Sequence, residues 1–235
     1  MDKENTSPPL PKTINAVCFD LDGTLFDSEN FYYRIYHEWL KDNFDITIDK
    51  DEFAYYETVL DDALIAHLIE NGRLVDEKGR DAVAIREEIL NESLRRFDEL
   101  IDSESARQGA ALLHELAERV DIPLVLATCS EPPNVDPFLE AYDLRGIFDL
   151  ILTGDMVAHK KPDPEVYHKA LDYLGLPPDQ VVVIEDSPRG VVASQNAGIP
   201  VIRQCAYLLN REHIAGSIEA ADLAEAIALV EERIN

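Results

Sequence analysis

The 235-residue sequence has few cysteines and contains no long apolar run. Its three cysteines, Cys18, Cys129 and Cys205, lie far apart and form no C-x-x-C pair, so neither a disulfide framework nor a zinc site is predicted. No apolar run approaches the roughly 20 residues that a membrane-spanning helix needs. The N-terminus is polar and proline-rich, which is not typical of a secretory signal. We therefore expect a cytoplasmic protein.

Basic residues are scarce beside acidic ones. Lys and Arg number 21 and Asp and Glu number 47, which gives a formal net charge of −26. A surface of this charge repels phosphate backbones and anionic lipids, so we expect neither nucleic acid nor a membrane as a partner. We interpret the acidity as a well-solvated surface; salt adaptation is the alternative, because the chain has only 8 lysines beside 13 arginines. A monomer is the default expectation.

Five short apolar runs predict the strands of one parallel sheet. They are too short for buried helices and do not alternate with polar residues, as is typical of strands that are covered on both faces. Helical patterns with a spacing of 3.6 residues separate the later runs. This alternation predicts an α/β fold with a doubly wound parallel sheet. The runs cover residues 14–19, 123–128, 150–153, 181–186 and 200–205.

The stretch between the first two predicted strands shows helical periodicity and no convincing strand run. A sheet whose first strand is separated from the others by a helical block indicates an inserted helical subdomain. We predict a flexible tail at residues 1–13, a core at 14–30 and 106–235, and a helical insertion at 31–105.

Polar side chains follow four of the predicted strands. In chain order they are Asp20 and Asp22, Thr128, Lys161, and Glu185 with Asp186. The ligand crevice of an open parallel sheet lies outside the carboxyl ends of its strands. We therefore expect these side chains to converge at one edge of the sheet.

Several carboxylates in one place repel one another, so a divalent cation is expected among them. Oxygen ligands with a phosphate partner suit Mg²⁺. The expected ligands are Asp20, the backbone carbonyl of Asp22, and Asp186. Glu185 either binds the cation directly or supports the other ligands.

This set of residues favours phosphoryl transfer. A carboxylate such as Asp20 can attack phosphorus and form an aspartyl-phosphate. Asp22 can protonate the leaving oxygen and then deprotonate the attacking water. Thr128 and Lys161 would bind the transferred oxygens as charge shifts in the transition state.

Four motifs carry a family resemblance: D-x-D-G-T-L-x-D-S at 20–28, L-A-T at 126–128, K-P-D-P at 161–164, and E-D-S-x-x-G-x-x-A-x-x-x-A-G at 185–198. In residues, order and spacing, the chain resembles a haloacid dehalogenase-superfamily phosphatase of the branch with an inserted helical cap. That branch includes sugar-phosphate phosphatases similar to β-phosphoglucomutase and phosphoglycolate phosphatase.

The resemblance implies a Mg²⁺-dependent hydrolase of small phosphate monoesters, with a Rossmann-like core and a mobile cap that closes over the substrate. It implies Asp20 as the nucleophile and Asp22 as the acid and base. It also implies Thr128 and Lys161 as phosphate binders and Asp186 as a metal ligand.

The sequence departs from the family pattern at several positions. Cys129 stands where a small hydroxyl residue is usual, but its backbone N–H can still contact phosphate. Lys160 stands where Gly is frequent. Tyr32 stands where sugar-phosphate mutases of this branch have His, and residues 57–68 lack the Gly and Arg of the mutase substrate loop. Tyr32 is also the first candidate to line the substrate side of the cleft.

The leading hypothesis is a phosphatase for a small phosphorylated metabolite, of the sugar or sugar-acid phosphate class. A β-phosphoglucomutase-like mutase is the first alternative, and Tyr32 disfavours it. A haloacid dehalogenase, which uses an aspartyl ester without a metal, is disfavoured by Asp22, because a leaving halide needs no proton. A non-catalytic binding module is disfavoured by the complete set of motif residues.

Overall fold

The computed structural model describes residues 10–57, 63–208 and 214–234. Most of the predicted tail, residues 1–9, lies outside the described residues, as does the part of the 57–68 segment that spans 58–62. Within the described ranges, no helix is both long and apolar enough to cross a membrane.

Six short strands form one sheet. They are β1 (Ala16–Phe19), β2 (Leu124–Ala127), β3 (Leu150–Leu152), β4 (Val181–Glu185), β5 (Val201–Gln204) and β6 (Ile218–Ala220). Their order is β3-β2-β1-β4-β5-β6, and every neighbouring pair is parallel. β1, β2, β4 and β5 are buried throughout, as expected for strands with helices on both faces. The predicted α/β fold with a Rossmann-like parallel sheet is confirmed.

The sixth strand was not among the predicted runs. β6 has three residues, and the middle one, Glu219, is exposed. A strand this short with a charged centre has no apolar run to reveal it, and it forms only because its backbone pairs with the edge of β5.

Ten α-helices accompany the strands in the described residues. They are α1 (Ser28–Phe44), α2 (Lys50–Glu57), α3 (Ala63–Glu70), α4 (Ala82–Arg95), α5 (Phe97–Ile101), α6 (Glu104–Arg119), α7 (Pro132–Ala141), α8 (Glu165–Leu174), α9 (Pro188–Asn196) and α10 (Leu223–Glu231). Single 3₁₀ turns cover Gly154–Met156 and Pro178–Gln180.

The described chain divides into two compact units. The first contains residues 10–27, 101–208 and 214–234 and holds the whole sheet. α8 packs on β2 and β3, α9 packs on β4 and β5, and α10 packs on β5, β6 and α6. The strand interiors and the apolar faces of α8 and α9 form one buried cluster around Tyr167, Val125 and Val183.

The second unit contains the described residues from 28 to 100, and these form helices without a strand. Its interior is rich in aromatic rings: Phe53 contacts Tyr33 and Tyr36, and Phe31 contacts Phe97. The helical character predicted for this stretch is confirmed. Its action as a cap over a substrate stays a prediction.

The register of the sheet brings four strand ends together. Phe19 at the end of β1 pairs with Leu126 on one side and Ile184 on the other. Ala127 pairs with Leu152 on the next strand. The residues that follow these strands therefore leave the same edge of the sheet, with the loop after β1 in the middle.

Candidate active site

The loop after β1 carries two acidic side chains on a tight turn. Asp20 is 7% exposed, and its N–H donates to the carbonyl of Ile184, which continues the pairing with β4. Asp22 is partly buried. Gly23 follows with φ of 72°, and a Cβ there would lie 2.1 Å from Oδ2 of Asp186. Only glycine meets both demands, and it lets this loop touch the loop after β4.

The loop after β2 places a hydroxyl group and a backbone turn beside the first loop. Thr128 is buried, and its N–H donates to the carbonyl of Leu152 on the adjacent strand. The Thr128 Oγ1 accepts the N–H of Ser130 at 3.0 Å, so its own proton is directed elsewhere. Cys129 is partly buried, and burial raises the pKa of its thiol, with Lys161 opposing the shift. Burial therefore favours the neutral form of this thiol.

Ser130 is a site residue that the sequence analysis missed. Its Oγ donates to Oδ2 of Asp22 at 2.5 Å, and its carbonyl accepts the N–H of Gly154 at 2.8 Å. These contacts fix the orientation of the Asp22 carboxylate. The sequence does contain an indication of this role, since Ser130 is a second hydroxyl residue shortly after Thr128 of the L-A-T motif. The unusual Cys129, which separates the two hydroxyl residues, obscured it.

Lys161 is the buried cation at the centre of the site, with 3% exposure. Its Nζ donates to Oδ1 of Asp20 at 2.6 Å, to the carbonyl of Ala127 at 2.9 Å, and to Oε1 of Glu185 at 2.9 Å. An ammonium has three protons, so all three have acceptors within the protein. The Lys161 ammonium can donate to a further oxygen only if it shares one of its protons between two acceptors or gives up one of these three hydrogen bonds.

Glu185 and Asp186 end β4 and are both almost fully buried. Oε2 of Glu185 accepts the backbone N–H groups of Asp186 and Ser187, at 2.8 and 2.7 Å, and the Ser187 hydroxyl at 3.0 Å. With Lys161 on Oε1, both oxygens of Glu185 are engaged by the protein. Oδ1 of Asp186 accepts a hydrogen bond from Thr24 at 3.1 Å.

The buried cluster contains more carboxylates than positively charged groups to balance them. Burial raises the pKa of Asp20 to about 8; Lys161 opposes the shift, and Glu185 and Asp22 add to it. Burial alone would lower the pKa of Lys161, but Asp20 and Glu185 hold it well above its ordinary value. One buried ammonium thus faces several carboxylates.

The donor set fits a divalent cation. Carboxylate oxygens of Asp20, Glu185 and Asp186 lie within 4.8 Å of one another, and all three residues are buried. Hard oxygen donors without sulfur or imidazole are typical of sites for Mg²⁺ and similar ions. A cation here would relieve the repulsion that the single lysine leaves.

The structure brings seven of the predicted site residues together in the first unit: Asp20, Asp22, Thr128, Cys129, Lys161, Glu185 and Asp186. Tyr32 lies on α1 in the second unit, where its ring contacts Phe31, and its place on the substrate side stays a prediction. The roles assigned to the seven residues are likewise predictions, which their juxtaposition supports.

Two further side chains near the site also escaped the sequence analysis. Arg203 donates to the carbonyl of Asp186, and Gln204 donates to the carbonyl of Gly23. Their signal was present in the sequence, since a charged and an amide residue end an apolar run that was predicted to be a buried strand.

Known proteins resemble this chain over most of its length. The model of the haloacid dehalogenase-like hydrolase family matches residues 17–204. Protein CbbY of Cereibacter sphaeroides is 34% identical over 216 residues, which cover 89% of this chain and 92% of that protein. The phosphorylated carbohydrates phosphatase of Thermotoga maritima is 31% identical over 208 residues, which cover 84% of this chain and 88% of that protein.

A solved structure agrees with these matches. The crystal structure of a CbbY variant from Rhodobacter sphaeroides, in complex with xylulose-(1,5)-bisphosphate, aligns with a TM-score of 0.70 and 30% identity. The alignment covers 91% of this chain and 96% of that chain, so it includes both the sheet and the helical unit.

Proposed function

The chain belongs to the haloacid dehalogenase-like hydrolase family and is a phosphatase, and we propose that it hydrolyses a sugar or sugar-acid phosphate with Asp20 as the nucleophile. The observation that carries this proposal is the buried cluster at the sheet edge. There the Lys161 ammonium donates to the carboxylates of Asp20 and Glu185, and carboxylate oxygens of Asp20, Glu185 and Asp186 lie within 4.8 Å of one another. Asp22 lies on the same loop as Asp20.

We assign the cation site to Mg²⁺, with Asp20, Asp186 and the backbone carbonyl of Asp22 as ligands. The engaged oxygens of Glu185 favour a supporting role for that residue over direct ligation. When bound, Mg²⁺ offsets the repulsion between these carboxylates and an anionic phosphoryl group.

In the first half-reaction, a carboxylate oxygen of Asp20 bonds to phosphorus while the bond from phosphorus to the alcohol oxygen breaks. Asp22 gives its proton to that leaving oxygen. The Ser130 hydroxyl keeps the Asp22 carboxylate in one orientation. The Thr128 oxygen accepts the N–H of Ser130, so its own O–H can donate to a phosphoryl oxygen.

In the second half-reaction, Asp22 takes a proton from water as the water oxygen bonds to phosphorus. The bond from phosphorus to Asp20 breaks, which releases inorganic phosphate and restores both carboxyl groups. Lys161 stays bonded to Asp20 and Glu185, so its first effect is to hold the nucleophile and to balance its charge.

The substrate class rests on the relatives. One is named a phosphorylated carbohydrates phosphatase, and the structure of another contains xylulose-(1,5)-bisphosphate. We propose that the helical unit selects the leaving group and that Tyr32 lines the substrate side.

We also propose that the protein is a cytoplasmic monomer. Its three free thiols suit a reducing compartment, and size-exclusion chromatography tests the monomeric state.

The test is phosphate release from a panel of sugar monophosphates, sugar bisphosphates and sugar-acid phosphates with Mg²⁺. Asp20→Asn and EDTA should each abolish turnover of the best substrate. Asp172→Asn makes the same chemical change at an exposed position on α8 and should leave turnover intact. Absence of phosphate release from every monoester by folded protein, at low and at high salt, would contradict the proposal.

The same assay separates the alternatives. A mutase would convert a sugar 1-phosphate into the 6-phosphate without net phosphate release. A dehalogenase would release halide from a 2-haloacid in EDTA. A binding module would give a wild-type rate no higher than that of Asp20→Asn.

A further inference from the structure

Two polar side chains lie at the carboxyl end of the buried strand β5. Arg203 is 2% exposed and Gln204 is fully buried, whereas Val201 and Ile202 before them are apolar. A buried guanidinium or amide costs free energy unless its donors are bonded. The hydrogen-bond partners of these two residues therefore indicate which parts of the protein the two side chains hold in place.

Arg203 holds the loop after β4. Its Nε donates to the backbone carbonyl of Asp186 at 2.8 Å, and the sheet register places it beside Glu185. Its NH1 lies 3.9 Å from Oε1 of Glu219 on β6. An arginine side chain is a positively charged donor whose N–H groups form a rigid, planar fork. It therefore fixes the peptide from which the Asp186 carboxylate projects and adds a second buried cation to an acidic region.

Gln204 holds the loop after β1. Its Nε2 donates to the carbonyl of Gly23, and its Oε1 accepts the N–H of Ala206 at 3.0 Å. The amide is thus bonded at both ends and cannot turn without losing a bond. Gly23 directly follows Asp22, whose backbone carbonyl is one of the proposed cation ligands.

The two loops that β5 holds are in direct contact with each other. Thr24 donates to Oδ1 of Asp186 at 3.1 Å, and a Cβ on Gly23 would lie 2.1 Å from Oδ2 of the same carboxylate. A small shift of either loop therefore changes the separation between the carboxylates of Asp20 and Asp186.

We propose that Arg203 and Gln204 are positioning residues of the cation site. Each binds the backbone of one ligand-bearing loop, and because they are consecutive on one strand they set the spacing between the two loops. Neither touches the reacting atoms. This inference rests on the proposed function, since the cation site that it concerns belongs to that function.

The experiment measures Mg²⁺ binding directly, by isothermal titration calorimetry and by the Mg²⁺-dependent shift in melting temperature. Arg203→Met and Gln204→Met should each raise the Mg²⁺ dissociation constant on the order of tenfold or more. Arg203→Lys keeps the charge but not the planar donor, and should also weaken binding. At saturating Mg²⁺, kcat should fall much less than Mg²⁺ affinity.

Ile202→Val is the matched control, because Ile202 is buried on the same strand. It should lower the melting temperature and leave the Mg²⁺ dissociation constant unchanged. A wild-type Mg²⁺ dissociation constant in folded Arg203→Lys and Gln204→Met would overturn the proposal, and these two milder variants keep the test decisive if Arg203→Met fails to fold.

Failure of the proposed function would give a different result. The wild-type protein itself would then bind no Mg²⁺ or release no phosphate from any monoester, and the positioning role would fall with it. If wild-type protein binds Mg²⁺ and hydrolyses a monoester while both β5 variants bind Mg²⁺ normally, only the positioning role is wrong.

Discussion

Oδ1 of Asp20 lies 2.6 Å from Nζ of Lys161, with both side chains nearly inaccessible to solvent. The same ammonium also bonds Glu185 and the carbonyl of Ala127. Lys161 is therefore the main counter-charge of the nucleophile before any substrate arrives, and this relationship governs the first two predictions.

Lys161→Met should reduce both activity and stability. Without the ammonium, Asp20 and Glu185 lose the cation that donates to both of them, and breaking a buried ion pair costs about 3–5 kcal/mol. We expect turnover to fall by roughly 10² or more. Urea unfolding in EDTA and the phosphate-release assay measure the two effects. Lys169→Met, at a half-buried lysine on α8 that pairs with Glu165, is the control; similar losses in both variants would argue against a special role for Lys161.

Asp20→Asn should be inactive and yet more stable than wild type in the absence of metal. Burial raises the pKa of Asp20 to about 8, so the folded state loses stability as pH rises from the unfolded pKa toward that value. The amide removes this penalty, and we expect a gain of roughly 1–3 kcal/mol at pH 7 in EDTA. Urea unfolding curves measure the gain. A loss of stability instead would mean that Asp20 sits in a well-compensated ion pair.

Gly23→Ala should abolish turnover, a larger effect than the backbone strain of an alanine at positive φ would cause by itself. The alanine Cβ would meet Oδ2 of Asp186 at 2.1 Å, so the Asp186 carboxylate must leave the position that it holds in the site. Gly72 has nearly the same φ, 73°, and a Cβ there would meet no atom within 4 Å, so Gly72→Ala isolates the strain alone, about 1 kcal/mol. Turnover and the Mg²⁺-dependent melting shift should disappear in Gly23→Ala and survive in Gly72→Ala. Equal behaviour of both variants would refute the steric argument.

The ion pair between Asp76 and Arg80 in the second unit should make stability depend on acid pH. Hydrogen bonds from the Arg80 side chain lower the pKa of Asp76 to about 2. A lowered pKa contributes stability that is complete above the unfolded pKa, near 4, and is lost as pH falls toward 2. The difference in unfolding free energy between wild type and Asp76→Asn should thus be constant above about pH 5 and shrink below pH 4.

Urea unfolding at pH 7, 5, 4 and 3 measures this difference for the Asp76 variant. Glu77→Gln, at the exposed neighbouring position, is the control for removing a carboxylate from the same segment. A constant difference down to pH 3 for Asp76→Asn would mean that its carboxylate is not held by Arg80.

Much of the fold could be predicted because its strands are buried on both faces. Runs such as 181–184 are apolar throughout, and only a covered strand tolerates that pattern. β6 escaped prediction because pairing with β5, rather than its own composition, makes it a strand. The convergence of the candidate residues was predictable because they follow strand ends, whose shared edge is a property of parallel sheets. Their roles in the reaction stay predictions.

The finer arrangement of the site could not be predicted. The bond from Ser130 to Asp22 joins residues far apart in sequence, and so does the bond from Gln204 to Gly23. Such bonds depend on side-chain directions that only the packed structure defines. The polar end of β5 was visible in the sequence, but nothing local says which carbonyl a buried arginine will bind.

The central place of β1 in the sheet has a consequence for how the protein folds. Val17 pairs with Leu124 and Cys18 with Val183, so β1 finds both neighbours only after the whole helical insertion has been bridged. Contacts between residues that are far apart in sequence form slowly, because the chain loses the entropy of loop closure before the strand pairing contributes its stabilising free energy. Helices of the insertion, by contrast, are built from local contacts. Catalytic competence should therefore return late in refolding, after most of the helical signal, and activity becomes a kinetic marker for completion of the sheet.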